Sequence, residues 1–131
     1  DVEVVVAAGA TLDVGYVEQT LAGLSGGGMV KGTGVVLADG ATLVATTAND
    51  APTTVDGQLT IAGGGKVVFP ADLVRGNYDF ALVGATTLVG AENLADWTFE
   101  NLPRNMTAEL VVEDNVIHCK VYRKGLFVII K

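Results

Sequence analysis

The chain is poor in the residues that usually carry chemistry. Its 131 positions hold one cysteine, Cys119, and one histidine, His118. An intrachain disulfide is therefore excluded, and so is a zinc ligand set of the ordinary Cys/His kind. Proline occurs only three times, which excludes a proline-rich linker. Aromatic residues make up 6% against 50% hydrophobic overall, so any core must be built from Val, Ala, Leu and Ile, a composition suited to thin, stacked strands. Basic residues are scarce too, eight against fifteen acidic, for a net charge of -7. Nucleic acid and anionic membrane surfaces are poor partners for such a chain. The deficit lies in the first hundred residues, net -9, whereas residues 101–131 carry net +2. No apolar run approaches the roughly 18 residues that would span a bilayer, and Gly125-Leu-Phe-Val-Ile-Ile130 is far too short. The chain opens at Asp1 without a methionine. That fits signal-peptide removal, proteolysis or excision from a longer chain alike.

What is present is repetition. Val5-Val-Ala-Ala-Gly-Ala-Thr-Leu-Asp-Val14 recurs as Val36-Leu-Ala-Asp-Gly-Ala-Thr-Leu-Val-Ala45, an offset of 31 with an identical Gly-Ala-Thr-Leu core. A degenerate third copy, Ile61-Ala-Gly-Gly-Gly-Lys-Val-Val-Phe69, follows 24 residues later when Gly64 is matched to Gly40. Residues 48–54 are polar and rich in breakers, and read as a loop inserted into one repeat. Each copy has the form strand, glycine turn, strand, with apolar/polar alternation after the turn. The glycine cluster within Leu21-Ala-Gly-Leu-Ser-Gly-Gly-Gly-Met-Val30 predicts a corner where backbones approach closely. One such unit cannot bury its apolar face alone, so residues 1–75 are expected to be rungs stacked on one another.

After about Arg75 the pattern changes, and residues 76–131 are expected to form a C-terminal β cap packed on the rungs as one continuous unit. Strands are predicted over 78–83, 107–112, 116–122 and 126–130. A short helical turn is expected over 91–96, with extended chain at 97–99. Glu113-Asp-Asn115 and Arg123-Lys-Gly125 carry hairpin turn residues. Six of the eight aromatic residues lie here, enough for a conventional core.

The series Gly9-Ala-Thr-Leu-Asp-Val14, Leu21 to Val30 and Gly40-Ala-Thr-Leu43 resembles the autotransporter-associated β-strand repeat family of bacterial surface and secreted proteins. The tail is similar to the C-terminal portion of such proteins, with an aromatic strand over 78–83, Leu102-Pro103, and a closing hairpin ending on Gly125-Leu-Phe-Val128. The resemblance implies an all-β fold, a short right-handed β-solenoid-like stack closed by an antiparallel β cap. It also implies an extracellular or cell-surface location, and it brings no catalytic residues. The chain differs from the family pattern in having only about three rungs.

The remaining chemical signals all have plainer readings. Gly63-Gly-Gly-Lys66 lacks the Ser or Thr that would meet magnesium in a phosphate loop. Ser25, the only serine, has no base near it in sequence, and His118 reads as a satisfied strand residue. Cys119 should face the opposite side of that strand, buried and inert. Asp13, Asp39, Asp56 and Asp72 fall at turns or strand ends and form no pair suited to glycoside chemistry. Gly26-Gly-Gly28 lacks the aspartate of calcium-binding nonapeptides. Asn105-Met-Thr107 fits a glycosylation acceptor. No cofactor or metal is expected.

These readings point to a non-catalytic extracellular structural protein that self-associates, for which a head-to-tail filament is one available geometry. The alternative is a carbohydrate-binding or carbohydrate-processing β-helix fragment, against which stands the presence of only Tyr16 among aromatics in residues 1–68. The expected partners are other copies of the chain, or an upstream part of a longer surface protein, meeting the edge strand (Val2, Val4, Val6) and the apolar final strand (Leu126, Val128, Ile130).

Overall fold

In a computed structural model, residues 2–45 and 52–123 are described. Among them the fold is all-β. The chain runs through β1 (Val2–Val5), β2 (Thr11–Gly15), β3 (Gln19–Ser25), β4 (Met29–Val44), β5 (Thr53–Ile61), β6 (Gly65–Val68) and β7 (Tyr78–Val89). A 3-10 helix over Ala91–Asp96 then leads to β8 (Thr98–Glu100), β9 (Met106–Glu113) and β10 (Val116–Arg123). Hydrogen bonding joins the ten strands into one mixed sheet. No helix among the described residues is long and apolar enough to cross a membrane.

The parallel pairings fall into three ladders. Glu3, Gly23, Thr42, Lys66 and Thr98 are successive partners in the first. Thr11, Met29, Thr54 and Gly84 form the second, and Gln19, Val35, Leu59 and Leu88 the third. The chain visits the ladders in the same order each time. The 16-residue β4 bends through all three, contributing Met29 to the second ladder, Val35 to the third and Thr42 to the first.

This register corrects the repeat inferred from sequence. The two Gly-Ala-Thr-Leu segments are not equivalent, because Thr11 belongs to the second ladder and Thr42 to the first. Their offset of 31 therefore spans one circuit of the ladders and part of the next. The match of Gly40 to Gly64 does hold: the Gly40 N–H donates to the Gly64 carbonyl at 2.7 Å, and Ala41 pairs with Gly65. The motif encodes a glycine turn followed by a half-buried strand, which serves equally well on any ladder. Which ladder a segment joins depends instead on the number of corners already passed. The loop expected over 48–54 also ends earlier than predicted, since Thr53 and Thr54 are already in β5.

Apolar side chains stack on like neighbours. Leu21, Leu37 and Ile61 follow one another in the third ladder, and Leu43 and Val67 are partners in the first; all five are buried. Each such burial contributes on the order of 1.5–3 kcal/mol. One corner carries a column of glycines, Gly15, Gly32 and Gly57, with φ of 73°, 150° and 152°. A Cβ on Gly57 would lie 2.6 Å from the Gly32 carbonyl oxygen, and one on Gly32 would lie 2.8 Å from that of Gly15. Neither the dihedral nor the spacing admits a side chain there.

The change to antiparallel pairing occurs inside β7. Val83 pairs in parallel with Thr53 and antiparallel with Ile117, so a single strand carries the ladders on one side and β10 on the other. β9 then pairs with β10 through a turn at Asp114 and Asn115, both left-handed at φ 52° and 60°, as a type I′ turn requires. The ladders themselves run past residue 75 into β7 and β8. The larger aromatics fill the space between. Phe69 lies 5.8 Å from Phe80 and 6.1 Å from Phe99 between ring centroids, and the Trp97 indole N–H donates to the Gly63 carbonyl at 3.0 Å. Three asparagine amides reach back to earlier carbonyls: Asn93 to Ile61 at 2.8 Å, Asn101 to Phe69 at 3.2 Å and Asn115 to Thr86 at 3.0 Å. They satisfy acceptors at bends where no ladder partner is in place. The strand expected over 126–130 lies outside the described residues.

Candidate functional site

The first circuit of the chain leaves its outer edges open. Among the described residues, β1 pairs only with β3, β2 only with β4, and Gln19 and Thr20 only with β4, while Leu21 is already covered by Val2. This end is also apolar: Val2, Val5, Leu12, Tyr16 and Val17 account for five of the ten exposed large hydrophobic residues among those described, with Val5 73% and Tyr16 98% accessible. Of the edge residues nominated from sequence, only Val2 stands out to solvent. Val4 is half-buried, and Val6 is buried at 5% exposure, its N–H donating to Ser25 and its carbonyl accepting from Gly28, both at 2.8 Å. The register shift between Val2 and Glu3 turns Val2 outward although Val4 and Val6 face inward, an irregularity that strict alternation could not foresee. Leu126, Val128 and Ile130 fall outside the described residues. The charges on this circuit have one sign: Glu3, Asp13 and Glu18, with no basic residue from 2 to 18.

A second cluster lies on the face of β7, β10 and β9. His118 Nδ1 is 2.8 Å from Asp79 Oδ1, while His118 Nε2 is 3.8 Å from Glu113 Oε1. The Lys120 ammonium donates to Glu113 Oε2 at 2.8 Å and lies 4.0 Å from Asp79 Oδ2. The Glu113 hydrogen bond leads the causes that raise the Lys120 pKa. Atoms of Asp79, Glu113 and His118 come within 4.8 Å of one another, the spacing of a metal site. The two carboxylates here address opposite nitrogens of the imidazole, and both lie within reach of the Lys120 ammonium. Lys120 already supplies the cation. Sequence reasoning missed this cluster because Asp79 and His118 are 39 positions apart and meet only through the β7–β10 pairing.

The other nominated residues are dispersed or occupied. Cys119 is buried, its thiol pushed up to about 12, first by desolvation and then by Asp79. Ser25 lies in β3 and His118 in β10, strands that are not paired. Asp13 and Asp56 sit in one ladder with Lys31 between them, an alternation of sign along the register. Asp39 lies in β4 beside the left-handed Gly40, and Asp72 is exposed in a turn. Lys66 pairs with Glu100 at 3.1 Å, so the Gly-Gly-Gly-Lys segment holds its lysine along the ladder. In the cluster ending at Gly28, a Cβ would strike the Ala7 carbonyl, which accounts for glycine by close approach. Asn105 is exposed.

A shallow depression of about 340 Å³ lies beside Tyr16, lined by Asp13, Gly15, Lys31, Gly32 and Thr33. No protein-family model, curated protein or solved structure matches the chain.

Proposed function

We propose that this chain is a non-catalytic, extracellular structural module, a short β-solenoid-like stack that works by associating through its open strand edges. The observation that carries the reading is the first circuit, where three unpaired edges coincide with half of the exposed large apolar residues among those described. Unpaired edges of this kind are templates for further strands, and exposed apolar side chains beside them favour contact. The resemblance to the autotransporter-associated repeats supports a surface location and a structural role. The scattering of its acids, the inert thiol and the lysine-filled charge cluster favour no reaction. Sedimentation velocity from micromolar to near-millimolar concentration tests it. A reversible rise in mass that Val5→Lys and Val17→Lys abolish is the expected result; a mass that responds neither to concentration nor to these substitutions sinks the proposal.

Tyr16 supports a second reading. A tyrosine ring 98% exposed beside Asp13, Lys31 and Thr33 has the makings of a carbohydrate platform, with polar groups at its rim. Calorimetry against common polysaccharides separates the two. Micromolar binding lost in Tyr16→Ala selects the carbohydrate reading, and no binding leaves the structural one.

A further inference from the structure

The two ends of the stack are not equivalent. At the first circuit all three ladders are open at one level, through β1, β2 and the start of β3. At the opposite end, among the described residues, the first ladder finishes on β8 and the third at Thr87–Val89, but the second continues through β10 and β9 in antiparallel pairing. With strands about 4.8 Å apart, those two additional strands raise a step of roughly 10 Å over one ladder. The first circuit of a second copy, level across its three edges, cannot meet β8, Leu88 and the outer edge of β9 together.

Two copies meeting through their first circuits would set Glu3, Asp13 and Glu18 against the same three acids, which opposes a tight closed dimer. In the ladder itself the sign alternates, Asp13 to Lys31 to Asp56. Carried one place outward, that alternation sets a cation opposite Asp13. We infer that the first circuit is a one-ended docking surface for the last circuit of another parallel three-ladder β-stack, one whose three edges are level and which presents a basic residue opposite Asp13. Among the described residues, the β9–β10 hairpin leaves no level end of this kind on the opposite side. The inference rests on the edge-association reading above and specifies its partner and direction.

The test uses the full chain and a version with a copy of residues 23–40 placed ahead of Val2. That segment contains one circuit of the ladders, and its lysine would stand opposite Asp13 by the register of Lys31. Hydrogen exchange should show the amides of β1 and β2 slowed by about tenfold or more, with part of the gain lost when the copied lysine is aspartate. The unmodified chain should form no filaments by electron microscopy. Filaments in which β1 and β8 amides become protected together would overturn the one-ended docking while leaving edge association intact. An added circuit that leaves β1 and β2 exchanging as before, with β4 and β5 still protected, would overturn both.

Discussion

At the scale of single residues, the glycines are not interchangeable. Gly9 adopts φ 83° in open space, whereas Gly57 combines φ 152° with the Gly32 carbonyl where its Cβ would stand. Gly9→Ala should therefore cost about 1–2 kcal/mol, the left-handed penalty alone. Gly57→Ala should cost clearly more, about 3 kcal/mol or above, because the ladder must also part. Urea denaturation of the two variants gives the comparison. Cys119 yields a pH prediction whose sign follows from its burial. The thiol ordinarily titrates at 9.0 and in the fold at about 12, so above pH 9 the unfolded chain loses a proton that the folded chain keeps. Stability is thus fully present below pH 9 and declines as pH rises toward 12, by at most about 1.4 kcal/mol per pH unit. Denaturation midpoints at pH 8 and pH 10 should differ less in Cys119→Ala than in the parent, and the native thiol should resist alkylation at pH 8.

At the scale of elements, the β9–β10 hairpin depends on its turn. Asn115 supplies both a left-handed conformation and the amide that reaches the Thr86 carbonyl. Asn115→Gly retains the dihedral and loses the bond, for about 0.5–1.5 kcal/mol. Asn115→Ala loses both and should be worse by about another 1 kcal/mol. Equal melting temperatures for the two variants would show that the dihedral carries no weight. The hairpin was legible from sequence because Glu113-Asp-Asn115 is a local signal between alternating runs. The short helical turn at Ala91–Asp96 was legible for the same reason. The corner that carries β5 from Val55 into the third ladder was not, because register shifts there break the alternation on which the reading relied.

For the whole molecule, β7 is the shared strand. It carries the parallel ladders through Thr53, Thr54 and Leu59 and the antiparallel hairpin through Phe80 and Cys119. Rungs and hairpin should consequently unfold in one transition. Far-ultraviolet circular dichroism and the fluorescence of Trp97, buried against Gly63 and Gly65, should give coincident urea curves. Two separated transitions would show the hairpin to be an independent unit. Every parallel pairing joins residues at least 16 positions apart, so refolding should take milliseconds to seconds.

The sequence by itself determined the all-β class, the glycine corners, the β9–β10 hairpin and the fate of Cys119. These follow from local dihedral demands and from alternation, which each short segment carries within itself. The three-ladder register, the inequivalence of the two Gly-Ala-Thr-Leu copies, the outward turn of Val2 and the meeting of Asp79, Glu113, His118 and Lys120 were decided only by the tertiary structure. Each depends on how many corners and irregularities the chain passes before a strand finds its neighbour, and that count is a property of the assembled sheet, because no local motif records which strand lies beside it.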